Sequence, residues 1–238
     1  VCSSDLIGVS YCKNCTGGFC VECNKDCKKS LDQLLQDAEI ALYQVKLDGK
    51  SDYKVFDFQM YNLLKNKANM ENDLKNAVRN NEFILYYQPQ YDLLTNDFKG
   101  FEALIRWEKP GKGLISPSSF IHIMEETGMI ISIGNWVLTT ACQFAKTINE
   151  QYNKQYVVSV NVSVAQLLND NYEQEVLTII EETNLDPKYL ELEITESILI
   201  SSLSAVKNKL IYLKEKGISI ALDDFGTGYS SLTYLREL

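Results

Sequence analysis

The chain has 238 residues, of which 45% are hydrophobic and 23% are charged, and its net charge at pH 7 is −9. This composition is typical of a globular protein that buries a core of its own. The acidic balance argues against duplex nucleic acid as a partner, because non-specific binding normally needs a basic surface, and no apolar run is long enough for a membrane-spanning segment.

The first 57 residues are expected to form a small α+β unit. Residues 7–11 have the apolar pattern of a strand. A helix is predicted to begin after Ser30, which can act as its N-cap with Gln33 at the third helical position, and apolar residues then recur at helical spacing up to Val45. Gly49 is a suitable stop, and 53–56 resembles a second strand.

A cysteine-rich insert interrupts this front unit at residues 12–27, with the spacing C-x2-C-x4-C-x2-C-x3-C. Two CxxC pairs have the local spacing of zinc or iron–sulfur ligands, but the pairs lie closer together than in zinc ribbons, and one cysteine is left over. A Zn or Fe–S site, thiol redox chemistry and an incidental loop therefore all stay open. The five cysteines are Cys12, Cys15, Cys20, Cys23 and Cys27.

Cysteine is rare in the rest of the chain, which contains only Cys2 and Cys142. A disulfide-rich secreted scaffold is therefore not expected, and we predict a cytoplasmic protein. A membrane anchor upstream of this chain stays open. After a helical connector at 58–81, the pattern of the sequence changes.

From residue 82 onward, apolar strand-like segments alternate with long amphipathic helices. Such alternation predicts the α/β class, with a parallel sheet and helices packed outside it. We expect an incomplete TIM-type (β/α) barrel with about five of the eight strands that a closed barrel needs. The predicted strands are 83–90, 98–106, 156–162, 190–195 and 218–223, and the predicted helices are Pro117–Thr127, Gly134–Tyr152, Ala165–Asn184 and Leu203–Lys216.

Acidic and amide residues lie at the ends of four predicted strands. Glu193 stands between Leu192 and Ile194, so the alternation of strand side chains turns its carboxylate away from the helices and toward the barrel interior. Barrel enzymes place their chemistry at this end of the strands. Converging carboxylates need a cation, and an all-oxygen site suits Mg²⁺ or Mn²⁺. The adjacent Asp223 and Asp224 can serve two ions.

Each of these residues also has an ordinary structural interpretation. Asp223 and Asp224 can be turn residues. Arg106 can form a surface cation–π pair with its neighbour Trp107. Glu191 has no assigned role and can be a charge at the barrel interior or edge.

The motifs of this region resemble the EAL domain, the catalytic domain of cyclic di-GMP phosphodiesterases. The resemblance covers 71–238, the N-terminal two-thirds of such a domain, and it implies hydrolysis of cyclic di-GMP to linear pGpG by two-metal catalysis, with a homodimer formed through the domain. The motifs are L-Y-Y-Q-P-Q, F-E-A-L-I-R-W, G-L-I-S-P and E-E-T-G within 85–134, then S-V-N-V-S, E-L-E-I-T-E-S and D-D-F-G-T-G-Y-S-S-L at 159–163, 191–197 and 223–232.

The resemblance also implies roles for individual residues. Gln88 and Arg106 match substrate-binding positions, and the guanidinium fork of Arg106 suits a phosphate oxygen. Glu196 matches a residue that steadies the loop 224–231, which in the family links metal binding to dimer formation. The matched metal ligands are Glu102, Asn161, Glu193 and Asp223 for one ion and Asp224 for a second, and Glu102, Asp223 and Asp224 are the matched catalytic residues.

The residues that complete the family's water-activating site, a lysine, a glutamate and a glutamine, would lie beyond Leu238. We therefore expect a fragment that is inactive on its own, with an exposed sheet edge, from a parent that is a metal-dependent phosphodiesterase. Two alternatives stay open. The parent can be a cyclic di-GMP-binding sensor without catalysis, or a redox- or metal-responsive regulator that acts through the cysteine cluster.

The front unit resembles the C-terminal tail of a GGDEF domain, the cyclase that often precedes an EAL domain. The matching residues are I-G-V-S at 7–10 and D-A-E-I-A-L-Y-Q-V-K at 37–46, followed by Gly49-Lys50-Ser51, Tyr53 and Phe56. The signature loop of that family would lie upstream of Val1. The resemblance thus implies a GGDEF remnant over residues 1–57, truncated at its start.

Overall fold

The computed structural model describes residues 7–9, 30–47, 53–94 and 96–224. The chain divides into two compact units, Val1–Met70 and Glu71–Leu238. In the first unit, β1 (Ile7–Val9) pairs in parallel with β2 (Tyr53–Val55), and the helix α1 (Leu31–Leu47) contacts both strands. The cysteine cluster predicted at 12–27 lies outside the described residues.

The helix α1 begins where the sequence predicts. The backbone N–H of Ser30 donates to Gln33 Oε1 over 3.0 Å, and the N–H of Gln33 donates to Ser30 Oγ over 3.3 Å. This reciprocal pair is a capping box, which satisfies two backbone donors at the helix start. Helix α2 (Phe58–Arg79) then occupies the predicted connector.

The second unit contains a six-stranded mixed sheet with helices packed against it. Along the sheet the strand order is β3-β4-β6-β7-β8, with β5 paired to β4 on the side. The strands are β3 (Phe83–Asp92), β4 (Asp97–Lys109), β5 (Gly113–Ile115), β6 (Val157–Asn161), β7 (Leu190–Thr195) and β8 (Ser219–Asp223). The helices are α3 (Ile121–Glu126), α4 (Met129–Tyr152), α5 (Val164–Leu167), α6 (Tyr172–Thr183) and α7 (Glu196–Glu215), with short 3₁₀ turns at Pro117–Ser119 and Pro187–Tyr189.

The prediction of a parallel sheet is confirmed for β4, β6, β7 and β8 but is wrong for β3, which runs antiparallel to β4. The reason is the short connection over residues 93–96, which allows a hairpin but is far too short for a crossover to a parallel strand. Asn96 supports the turn with a left-handed backbone at φ 56°. The short strand β5, which the sequence reading did not predict, adds a second hairpin to β4.

Several helix boundaries also differ from the prediction. Helix α3 starts at Ile121, after a 3₁₀ turn, rather than at Pro117, and α4 starts at Met129 rather than at Gly134.

The helix expected over 165–184 is divided into α5 and α6. Ser163 caps α5 through a capping box with Gln166, and α6 begins after a turn that ends at Asn171. Helix α7 starts at Glu196, seven residues before the predicted start, because it follows β7 without a loop.

The two faces of the sheet have different characters. The outward face is apolar and forms the core against α4, α6 and α7. The inward face is polar, as the alternation along each strand requires. No helix in the described part of the chain has the length and apolarity to cross a membrane. Outward core residues of the parallel strands include Ala103, Val158, Val160, Leu190, Leu192 and Ile194.

Candidate functional site

The strand register places the predicted site residues on one polar face of the sheet. Gln88 of β3 is opposite Glu102 of β4, and Asn161 of β6 is opposite Glu193 of β7. Ser159, opposite Glu102 in β6, lies on the same face. The cause is strand alternation, because the residues on either side of these positions face the helices.

Glu102 and Asn161 are in direct contact. The Nδ2 atom of Asn161 donates a hydrogen bond of 2.7 Å to Oε1 of Glu102. Glu102 is partly buried, whereas Asn161, at the C-terminal end of β6, is exposed. The structure thus joins two of the four predicted ligands of the first ion across neighbouring parallel strands.

Glu193 lies beside this pair and carries a perturbed carboxyl group. Burial raises its pKa above the ordinary value, and the nearby charge of Glu102 raises it further. Hydrogen bonds from Ser159 and Gln90 act in the opposite direction and lower the pKa. The charge of Glu102 on the same face therefore disfavours ionisation of Glu193, as a nearby like charge does.

Asp223 and Asp224 lie at the exposed end of β8. Asp223 is opposite Thr195 in the register, so it stands two residues beyond the level of Glu193, whose partner in β8 is Ala221. The backbone N–H of Asp224 donates to Asp223 Oδ1 over 2.8 Å, and Asp224 has a left-handed backbone at φ 56°. This is the geometry of a turn, so the turn interpretation and the ligand interpretation apply to the same two residues.

The two predicted substrate-binding residues lie on the same inward face. Gln88 is exposed and stands opposite Glu102. The guanidinium carbon of Arg106 lies 5.7 Å from the ring centroid of Tyr86, and its Nη1 donates to the carbonyl of Ile105 over 2.8 Å. Among the described residues this is the one hydrogen bond that the guanidinium donates, and it has five N–H donors in all, so further donors can serve an anion.

The structural alternative for Arg106, a surface cation–π pair with Trp107, is not the contact that the structure shows. Neighbouring residues of a strand point to opposite faces, so Arg106 stacks on Tyr86 while Trp107 is buried on the other face. There Lys109 lies over the Trp107 ring at 5.0 Å, and the ring N–H donates to Glu82.

A cavity of about 490 Å³ opens next to Arg106 and Asn161, between the ends of β4 and β6 and the helices α3 to α5. Its size is typical of small-molecule sites, and its walls combine apolar side chains with a few polar groups. The apolar part includes Pro117, Ile121, Ile130, Ile133 and Val137, and the polar part includes Arg106, Glu125, Asn161, Ser163 and Thr195.

A hydrogen-bond network adjoins the candidate ligands, and the sequence reading assigned no role to its members. Gln90 Nε2 donates to Glu193 Oε1 over 3.2 Å, and Ser159 Oγ lies 3.3 Å from Gln90 Oε1 and 2.8 Å from Glu191 Oε1. Lys99 forms an ion pair with Glu191 at 3.1 Å. The strand alternation that turns Glu193 inward turns Glu191 inward as well. This alternation is the sequence pattern from which a role for Glu191 at the site could have been predicted.

The remaining predicted residues are less fully described. Glu196 is buried at the first turn of α7, near the ends of the strands. Residues 225–231 of the loop that it is expected to steady lie outside the described part of the chain, as do the five cysteines of the insert.

The donor set suits a hard divalent cation, because all of its ligating atoms are carboxylate or amide oxygens. The mutual repulsion of Glu102 and Glu193 is the electrostatic reason to expect one. Within residues 30–47, 53–94 and 96–224, however, no three acidic, histidine or cysteine side chains already converge on one point. Coordination of an ion by these residues therefore requires side-chain rotation, starting with the amide of Asn161, whose N–H now faces Glu102.

Comparison with known proteins identifies the family. The sequence model of the EAL domain matches residues 71–238, which is most of the chain. The chain belongs to the EAL domain family. Its matched segment corresponds to the second compact unit, so the mixed sheet and its inward polar face are the EAL part of the chain.

Named relatives and solved structures agree with this assignment. The cyclic di-GMP phosphodiesterase NbdA of Pseudomonas aeruginosa is 36% identical over 207 residues, which cover 87% of this chain and 26% of NbdA. A structure of the PaMucR phosphodiesterase with c-di-GMP superposes with a TM-score of 0.67 at 37% identity, over 71% of this chain and 69% of that one. The EAL enzyme Bd1971, bound to cAMP and cyclic di-GMP, gives a TM-score of 0.71 at 29% identity, over 88% and 55% of the two chains.

The curated relatives are longer proteins. This EAL chain aligns with only about a quarter to a third of their length, from 25% to 33%. Similarity to the EAL enzymes thus concerns this segment of them.

Proposed function

We propose that this chain carries the substrate-binding and metal-binding part of a cyclic di-GMP phosphodiesterase site. The observation that carries the proposal is the group of Glu102, Asn161 and Glu193 on three adjacent strands beside the cavity that Arg106 lines. The similarity to NbdA and to the PaMucR phosphodiesterase supports cyclic di-GMP as the substrate.

Glu102, Asn161, Glu193 and Asp223 would hold one Mg²⁺ or Mn²⁺ ion, and Asp224 would contribute to a second. When bound, such ions neutralise phosphate charge and lower the pKa of a bound water, which makes it a nucleophile near neutral pH. The donor set fits this role by its chemistry, since hard oxygen ligands select hard cations.

The other residues of the site would bind and orient the substrate. Arg106 keeps N–H donors beyond the one given to Ile105, and a fixed guanidinium fork matches two phosphate oxygens. Gln88 stands opposite Glu102, so its amide can reach a phosphate that approaches the ion site. The apolar wall of the cavity, including Ile121 and Ile130, suits the face of a guanine base.

The proposal is tested by measuring cyclic di-GMP binding and hydrolysis with the full chain in Mn²⁺. We expect Arg106→Ala to weaken binding about 10- to 100-fold, because a charge-assisted bidentate contact is lost. Arg79→Ala, which removes an exposed arginine of α2, is the matched control and is expected to bind normally. Equal affinities for both variants and the wild type would contradict a substrate site at Arg106.

The same assay separates the enzyme from the sensor alternative and tests the expectation of inactivity. Binding followed by pGpG formation supports the phosphodiesterase, and it would overturn the expectation that the water-activating residues lie outside this chain. Binding without product agrees with that expectation, and assaying a longer protein that contains this segment then tests the sensor alternative.

Other features of the sequence also remain proposals. A GGDEF-like origin of residues 1–57 is supported by MucR of Pseudomonas aeruginosa, a bifunctional diguanylate cyclase and cyclic di-GMP phosphodiesterase that aligns with 87% of the chain. A homodimer through the loop 224–231 is tested by light scattering, and a Zn or Fe–S site in the insert by metal analysis of reductively purified protein. A cytoplasmic location is tested by cell fractionation.

A further inference from the structure

The amide of Gln90 reaches Glu193 across two intervening strands. Gln90 lies on β3 and Glu193 on β7, with β4 and β6 between them in the sheet. Even so, Gln90 Nε2 donates to Glu193 Oε1 over 3.2 Å. A contact across two strands requires that the sheet curves inward. It also requires that no side chain of β4, the strand next to Gln90, lies between the two residues.

Gly100 provides that path. It is the register partner of Gln90 in β4, and a Cβ at this position would overlap the backbone carbonyl oxygen of Val157 in β6. The close approach of β4 and β6 therefore admits only glycine, and no β4 side chain stands between Gln90 and the residues beyond. The register between β3 and β4 shifts between Gln90 and Tyr91, so β3 has a bulge next to Gln90. A β-bulge changes the direction of the side chains beside it.

The other end of the Gln90 side chain is held as well. Ser159 is fully buried, and its hydroxyl lies 3.3 Å from Gln90 Oε1 and 2.8 Å from Glu191 Oε1. Glu191 is in turn held by both of its oxygens, at 3.1 and 3.2 Å from the ammonium group of Lys99. The single hydroxyl hydrogen of Ser159 can serve either Gln90 Oε1 or Glu191 Oε1. The Gln90 amide presents its N–H to Glu193 because an ionised carboxylate can only accept.

We propose that Gln90 is a positioning residue that holds Oε1 of Glu193 and so leaves Oε2 free to coordinate a divalent cation. The inference rests on the proposed function, since it assigns a supporting role at the same cation site. The proposal adds to the cation site a chain of four hydrogen-bonded residues, which begins at the exposed Lys99 and ends beside Glu193. In order, these residues are Lys99, Glu191, Ser159 and Gln90. Hydrogen-bonded supports of this kind fix the orientation of ligating carboxylates.

The test is a Mn²⁺ titration of the full chain followed by electron paramagnetic resonance. Gln90→Met keeps the length of the side chain and removes its donor, and we expect about 10-fold weaker Mn²⁺ binding. Gln143→Met makes the same replacement at an exposed position of α4 and is expected to leave the affinity unchanged. Circular dichroism verifies that each variant is folded.

A double-mutant cycle separates positioning from a general effect on the fold. Glu193→Gln removes the ligand itself, so adding Gln90→Met to it should change Mn²⁺ affinity by less than about twofold. A merely structural role of Gln90 would reduce affinity by the same factor in both backgrounds. If Gln90→Met does not fold, Gln90→Asn replaces it, because this shorter amide stays polar but cannot reach Glu193.

The outcomes of the two hypotheses are distinct. Absence of Glu193-dependent Mn²⁺ binding in the wild type would overturn the proposed cation site and this inference with it. Wild-type binding with an unchanged affinity in Gln90→Met or Gln90→Asn would overturn only the positioning role. A loss in these variants that disappears in the Glu193→Gln background supports it.

Discussion

Asn161 Nδ2 lies 2.7 Å from Glu102 Oε1, so an amide of β6 donates directly to a carboxylate of β4. Gln90 does the same for Glu193 over 3.2 Å. Glu102 and Glu193 thus each accept a hydrogen bond from an amide N–H. This arrangement explains how the fold holds two like charges together without a cation, and it makes the amides sensitive probes of the site.

Asn161→Asp is expected to destabilise the chain when no divalent cation is present. The change removes the N–H donor and places a second carboxylate against Glu102, which costs about 1–3 kcal/mol of unfolding free energy. Urea denaturation in EDTA measures this loss. Mn²⁺ is expected to restore part of it, because a cation between two carboxylates offsets their repulsion.

The matched control for this prediction is Asn208→Asp on the exposed side of α7. It adds the same charge away from other acids of the site, and its effect is expected to stay within about 0.5 kcal/mol. An equal loss for Asn161→Asp with and without Mn²⁺ would show that the cost does not come from the repulsion of neighbouring acids.

Glu193→Gln is expected to stabilise the cation-free chain at pH 7. Burial first, and the charge of Glu102 second, raise the pKa of Glu193 in the folded state. An acid whose folded pKa lies above its unfolded value makes the protein less stable as pH rises through that window, because the folded state binds more protons there. Glu193→Gln has no carboxyl group at this position to ionise, so its folded state does not lose this stability as pH rises.

Thermal unfolding in EDTA at several pH values measures the effect. The stability of variant and wild type should converge below about pH 3, where Glu193 is protonated in both the folded and the unfolded state. Mn²⁺ should reverse the order at pH 7, since only the wild type gains from the ion. Glu181→Gln, at an exposed position of α6, is the control. A wild type more stable than Glu193→Gln at pH 7 in EDTA would contradict the prediction.

The strands and their inward acids could be predicted from sequence because both depend on local alternation. The antiparallel direction of β3 relative to β4 could not be predicted from the residues of β3, because it depends on the length of the connection between the two strands. The turn at 93–96 contained the signal, because four residues permit only a hairpin. The break between α5 and α6 likewise depends on a local side-chain contact, since the N–H of Asn171 donates to Asn169 Oδ1 over 3.3 Å in the turn that separates the two helices.

The supporting network was harder to predict than the candidate ligands. Gln90 reaches Glu193 because β4 and β6 approach closely at Gly100 and because the register shifts next to Gln90. Neither the approach nor the shift leaves a periodic pattern in the sequence. The alternation of β7 did place Glu191 on the inward face, but its partners Lys99 and Ser159 lie on other strands.

Gly100→Ala is expected to lower the free energy of unfolding by about 3 kcal/mol, because the new methyl group collides with backbone that cannot move without separating β4 from β6. Gly134→Ala is an informative comparison. There the added methyl group meets only the end of the Gln166 side chain, and alanine favours the helix by about 1 kcal/mol. We expect its loss to be less than half that of Gly100→Ala in urea denaturation, and equal losses would refute this account of the strand approach.

Cys142 is expected to resist alkylation in the folded chain. It is fully buried in the core on α4, and burial raises the pKa of its thiol to about 12. At pH 8 only about one such thiol in ten thousand is the reactive thiolate, and the reagent must also reach it. Iodoacetamide should therefore modify the peptide that contains Cys142 in urea but not under native conditions. Mass spectrometry of proteolytic peptides distinguishes this residue from the other six cysteines, and rapid native labelling at Cys142 would show that the helix layer over the sheet opens readily.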